Sequence, residues 1–319
     1  MITVMATKGR KTKRDRLDVF HPRIQTASGF AIVVVFVAGL MLALSAGAFA
    51  QKRKGQTAPR TSHSRDTLSA DAREMIVLAS DAVCRERLGD PKGSVPIDDM
   101  QARPSLPVNS PEAVIGAQRA QRLLPTARNL VEVALRRLTA EYSLSGKRGH
   151  SAGVQRAIAR VRAVRDIRPD MDSRDNASVF LKNPHTIIFG TIFLAGLPSD
   201  EGLISVLAHE LLHIGDGGED NLRFLFQAVS TRASRLTGLK IRGQPAEELT
   251  CDLVGTIAAQ SYVSSTPSYE PLRRRVSRSL AHNCVDQDQG DDDHLSPKIT
   301  IRALLTLNPR LSRELVYGR

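Results

Sequence analysis

The sequence predicts an α+β fold that is mostly helical. Three observations carry this. Apolar residues recur at helical spacing through Ala70–Leu88, Pro111–Tyr142, Ala152–Val164 and Asp220–Thr237. Strand-like runs are short and few: Val179-Phe180-Leu181 and Thr186-Ile187-Ile188-Phe189, on either side of a turn at Lys182-Asn183-Pro184-His185. Helix start and stop signals bracket a further apolar stretch, with Ser199-Asp200-Glu201 before it and Gly215, Gly217 and Gly218 at its end.

Taken in order, residues 1–26 are polar and basic, and Phe30–Ala50 is an uncharged apolar run of 21 residues, long enough to span a bilayer. Ala48-Phe49-Ala50 before Gln51 has the small residues of a signal-peptidase site, so 1–50 reads as a cleaved signal or as an uncleaved membrane anchor. Seven Lys/Arg precede the run and three follow closely, a bias that keeps the leader in the cytoplasm and sends the rest across. Export to the periplasm or the extracellular side is therefore expected. The net charge of +12 divides unevenly: residues 1–54 hold ten Lys/Arg and two Asp/Glu, so they carry +8 and the remainder only +4. The excess belongs to membrane targeting, and no aromatic-basic motif points to nucleic acid.

Residues 51–68 have the composition of a flexible linker, and 69–319 reads as one domain: helices over 70–165, then a core over about 160–310. Met75, Ile76, Leu78, Ala79, Ala82 and Val83 give Ala70–Leu88 its helical periodicity. Five prolines make 89–111 a loop, and Pro125 is expected to break or kink the helix that follows. Phe224, Leu225, Phe226 and Leu236 mark the core face of a helix over Asp220–Thr237. His185 sits at a turn and reads as a surface residue.

The chemistry concentrates in Val206-Leu207-Ala208-His209-Glu210-Leu211-Leu212-His213. On a helix His209 and His213 lie one turn apart on one face, so both imidazoles can meet one ion. Glu210 projects about 100° further round, where it can activate a water without being a ligand. His-Glu-x-x-His therefore predicts a zinc hydrolase helix. Such a site needs a third protein ligand and an open fourth position. The candidate is Glu248 in Pro245-Ala246-Glu247-Glu248-Leu249-Thr250-Cys251-Asp252; Pro245 suits a first helical turn, and Glu248 and Asp252 again share a face.

His-Glu-x-x-His followed by Glu-x-x-x-Asp on a second helix is the gluzincin pattern. The surrounding sequence resembles the HtpX and CAAX-prenyl-protease family of metallopeptidases, including its soluble exported members. The resemblance rests on Asn176-Ala177, Asp200-Glu201, Val206–His213, Glu248–Asp252 and His294–Arg302, and covers roughly residues 160 to 310. It implies a zincin-like domain, one zinc per chain on His209, His213 and Glu248, and Asp252 orienting His209. It also implies that a polar side chain of the late segment, here His294, approaches the catalytic centre. In the family a hairpin comparable to residues 179–189 edges the cleft and pairs with extended peptide; a plain core hairpin is the other reading.

The expected function is a zinc-dependent endopeptidase acting on protein or peptide substrates outside the cytoplasm, with Glu210 as base. The alternative is a zinc-stabilised, membrane-associated chaperone-like or partner-binding module. Cys251 reads as a packed free thiol, while Cys84 and Cys284 are a candidate disulfide in an oxidising compartment. The five Asp of 286–293 read either as a solvated loop or as a calcium site, with spacing that matches no calcium motif.

Overall fold

Helix α5, Asp200–Asp216, is buried from Glu201 to Asp216, and the other elements are arranged around it. The computed structural model describes residues 68–88, 104–196, 199–280, 290 and 292–318, with the backbone alone for 84–88. The elements are α1 Ala70–Leu88, α2 Pro111–Glu141, α3 Arg148–Ala163, β1 Asp166–Asp170, β2 Ala177–Val179, β3 Thr186–Gly190, α4 Thr191–Gly196, α5, α6 Arg223–Thr237, α7 Gln244–Ser265, α8 Leu272–Leu280, α9 Pro297–Leu307 and α10 Pro309–Tyr317. The fold is thus mostly helical with a small sheet, as the hydrophobic periodicity predicts. Helix α5 packs against α2, α3, α7, α8 and strand β2, while α1 lies on α8, α9 and α10, so the first helix closes against the last ones.

Local chemistry sets the ends of α5. Ser199 accepts a hydrogen bond at Oγ from the Gly202 N–H and caps the start, where Asp200 and Glu201 favour the positive end of the helix dipole. Gly217 at φ +67° ends it in the left-handed region and donates to the His213 carbonyl. Between these ends Leu203, Ile204, Leu207, Leu211 and Leu212 are fully buried, so the helix is apolar on nearly every side.

Several sequence expectations need correction. Helix α2 continues through Pro125 as one element, so the expected break does not occur; Leu124 and Ala127 are buried on either side of it, and packing offsets the hydrogen bond a proline cannot make. Helix α3 begins at Arg148 rather than Ala152, without a side-chain cap to mark its start. Helix α6 begins at Arg223, because Gly218 and Asp220 at positive φ hold the preceding residues in a turn. Strand β2 covers Ala177–Val179, which leaves Phe180 and Leu181 in an exposed loop.

Strand β1 is the element the periodicity did not announce. Its sequence, Asp-Ile-Arg-Pro-Asp, has no apolar alternation, yet it pairs in parallel with β3 while β2 pairs with β3 antiparallel, giving the order β1-β3-β2. Gln121 of α2 serves its outer edge, donating to the Arg165 carbonyl at 2.7 Å and accepting from the Ile167 N–H at 2.9 Å. A side chain thus replaces a neighbouring strand. Among the described residues no helix is long and apolar enough to cross a membrane. Phe30–Ala50 lies outside the described residues, as do the side chains of Cys84 and Cys284 and most of the 286–293 segment.

Candidate metal centre

Helices α5 and α7 supply the centre, and they run antiparallel. Gly255 meets Ser205, Asp252 meets His209 and Glu247 meets His213, so the chain order reverses from one helix to the other. The backbones come close at Gly255, where any Cβ would stand 2.6 Å from the Ser205 carbonyl oxygen. That absence of a side chain lets the two backbones come near enough for short carboxylate side chains on α7 to reach imidazoles on α5.

Three donor atoms converge. His209 Nε2 and His213 Nε2 are 3.1 Å apart, and Glu248 Oε2 lies 3.3 Å from the first and 3.4 Å from the second. Glu248 is aimed by Gln244, whose Nε2 donates to its other oxygen at 3.0 Å. Behind the imidazoles, Asp252 Oδ1 accepts from His209 Nδ1 at 2.9 Å and Glu247 Oε1 accepts from His213 Nδ1 at 2.9 Å. Each ring therefore turns its Nε2 toward the centre, an arrangement typical of metal-binding histidines.

The electrostatics match. Burial works against a charged His209, but the hydrogen bonds it donates to Asp252 and Glu248 outweigh it and lift its pKa to about 10. Burial would also raise Glu248; the His213 and His209 imidazoles overcome it and hold its carboxyl well below the usual range. Glu247, Glu248, Asp252 and Glu210 thus surround a place that attracts positive charge, whether protons or a metal ion.

Glu210 stands apart from this network. It is 0 % exposed, its carboxylate oxygens accept no hydrogen bond among the described residues, and burial raises its pKa. A buried carboxyl with no partner among the described residues is costly, and a water at the centre is a fitting donor to its oxygens. His294, ahead of α9, brings its Nε2 to 3.6 Å from Glu248 Oε2. The late segment thus reaches the centre, although Leu295 and Ser296 separate the histidine from Pro297.

A second donor set overlaps the first. His209, His213 and Cys251 form a buried group that can hold a metal ion. Cys251 Sγ lies 3.7 Å from Nδ1 of His213, the nitrogen already bonded to Glu247, and burial pushes its thiol up, away from thiolate. Glu248 Oε2, in contrast, faces the Nε2 atoms of both rings at 3.3 and 3.4 Å.

His185 is exposed and its Nδ1 contacts the Ala163 carbonyl, far in role from the centre. Glu247 and Gln244 are participants that the spacing argument passed over. A carboxylate adjacent to a proposed ligand is itself a usable signal, since its bearing on a helix differs from the ligand's by only about 100°. The chain was compared with protein-family models, curated proteins and solved structures, and none of them matches it. The functional reading therefore rests on the residues and their geometry.

Proposed function

We propose that this protein is a zinc-dependent endopeptidase, with His209, His213 and Glu248 as zinc ligands and Glu210 as the base. One observation carries the reading: two imidazole Nε2 atoms and one carboxylate oxygen lie 3.1–3.4 Å from one another beside a fully buried glutamate without a hydrogen-bond partner among the described residues. Ligands at zinc's usual bond lengths define a tetrahedron with edges of about 3.3–3.4 Å, close to the spacing of these three atoms.

Zinc, when bound, supplies a Lewis acid that polarises a carbonyl and makes a nearby water more acidic. Glu210 takes a proton from the attacking water at a carboxylate oxygen. As the scissile C–N bond breaks, it returns that proton to the leaving amine nitrogen, and the water's oxygen remains in the new carboxylate. Asp252 holds His209 in its ligating orientation. His294, whose Nε2 lies 3.6 Å from the Glu248 oxygen, donates from its ring to the oxygen that gains charge in the transition state. The substrates are proteins or peptides outside the cytoplasm, reached because the apolar run Phe30–Ala50 directs the chain to or across the membrane.

A zinc-stabilised binding module is the second reading, and the position of His294 favours it. A fourth imidazole or carboxylate at the ion leaves no site for water, as in structural zinc centres, and His294 Nε2 lies 3.6 Å from the Glu248 oxygen. Casein digestion by the full chain, with and without a chelator, separates the two. Chelator-sensitive cleavage that falls about 10²–10³-fold in His294→Ala supports the endopeptidase with His294 at the oxyanion. One zinc per chain without cleavage, in wild type and variant alike, supports the binding module.

A further inference from the structure

His213 has two neighbours at Nδ1, and only one of them is compatible with the zinc site proposed above. Glu247 Oε1 is at 2.9 Å and Cys251 Sγ at 3.7 Å. We infer that Glu247 is a positioning residue: it commits His213 to bind the ion through Nε2 and thereby excludes Cys251 from the ligand set. This rests on a metal occupying the centre, but not on the reaction that follows.

A neutral imidazole carries one N–H. Hydrogen bonding to a carboxylate places that proton on Nδ1 and leaves the lone pair on Nε2. Nε2 of His213 then faces His209 Nε2 at 3.1 Å and Glu248 Oε2 at 3.4 Å. These are acceptors, and an ion between them resolves their repulsion. Without Glu247 the proton is free to move to Nε2, and the Nδ1 lone pair would point toward the sulfur. His209, His213 and Cys251 lie close enough together to hold an ion by themselves. The protein thus contains two overlapping donor sets, and a single hydrogen bond selects between them.

The geometry of α7 makes the selection specific. Glu247 and Cys251 are four positions apart, one turn along the same helix face, so both reach the same side of the His213 ring. Glu248 and Asp252 repeat that spacing one residue on, directed at the Nε2 side and at His209. Each histidine accordingly has its own carboxylate, Asp252 for His209 and Glu247 for His213. The Glu247 side chain is only partly buried, whereas Cys251 is wholly enclosed.

Cobalt(II) as the probe makes the choice visible, since a thiolate ligand adds a strong near-ultraviolet charge-transfer band that nitrogen and oxygen ligands lack. The full chain loaded with cobalt should show no such band. Glu247→Ala should bind zinc about 10–100-fold more weakly in competition with a chelator and should gain the band, and adding Cys251→Ser should abolish it. Glu247→Gln keeps an acceptor without the charge, so it should bind with intermediate affinity and show no band. Metal-free melting of each variant should match the wild type, which a merely structural role for Glu247 would not allow. A thiolate band in the wild type overturns the inference, and so does Glu247→Ala with wild-type affinity and spectrum. A chain that binds cobalt as described but cleaves no peptide refutes the endopeptidase and leaves Glu247 in its role; a wild type that takes up neither metal overturns both.

Discussion

Two imidazole lone pairs and a carboxylate oxygen within 3.4 Å of each other repel unless protons or a cation lie between them. This protein spends three buried polar side chains on that arrangement and adds a fourth, Glu210, with no partner among the described residues. At the scale of single residues the decisive test is Glu210→Gln. The change preserves size and one acceptor oxygen but removes the base. Zinc content should stay at one per chain by metal analysis, while peptide hydrolysis falls by about 10²–10⁴-fold or more, the usual contribution of a positioned base. Glu248→Ala should behave oppositely and lose zinc, because Glu248 Oε2 is the atom that closes the donor triangle. If Glu210→Gln remains active, the base is another group.

Elements decide whether those residues ever meet. The antiparallel contact of α5 and α7 depends on Gly255, whose missing side chain allows the Ser205 carbonyl close by. Gly255→Ala should therefore force the helices apart, with a stability loss of about 1–3 kcal/mol as for other overpacked cores. The measurement is chemical denaturation paired with zinc titration, and both should weaken together, since Asp252 and Glu248 are carried on the same helix one and two turns away. Gly217→Ala should cost about 1–2 kcal/mol through its left-handed φ of +67°, but leave zinc affinity nearly intact because it lies beyond the last ligand. Equal effects of both substitutions on zinc binding would argue against the close approach as the source of the site. The sequence shows the two helices and their i,i+4 donors plainly, because those relations are local. It does not show which carboxylate reaches which ring nitrogen: Glu247 is 34 positions from His213, and the pairing exists only after the helices cross. Strand β1 was hidden for a similar reason, its stability coming from β3 and from Gln121 rather than from its own residues.

For the whole molecule, the centre lies where the fold is most tightly joined. Helix α5 packs against α2, α3, α7, α8 and β2; His209, Glu210 and His213 are buried on it, Glu248 of α7 is buried too, and Asp252 and Glu247 are partly buried. Buried charges of one sign are costly when their counter-charge is removed. Protons on the imidazoles replace the ion only in part, since His209 and His213 also face each other at 3.1 Å and cannot both be charged without repulsion. Removing the metal should thus lower the stability of the entire described unit and not merely loosen the site. An ion that binds the folded chain alone stabilises it by about 2.7 kcal/mol at a free concentration 100 times its dissociation constant. In a unit of this size each kcal/mol shifts the melting temperature by about 2–4 °C, so zinc loading should raise it by roughly 5–11 °C. Calorimetry of the chelator-treated chain, then of the same sample with zinc restored, measures this directly. Glu248→Ala supplies the control and should melt at the same temperature with and without zinc. If the wild type is equally insensitive, the carboxylates and imidazoles are neutralising one another without an ion, and the reading of this cluster as a metal centre falls.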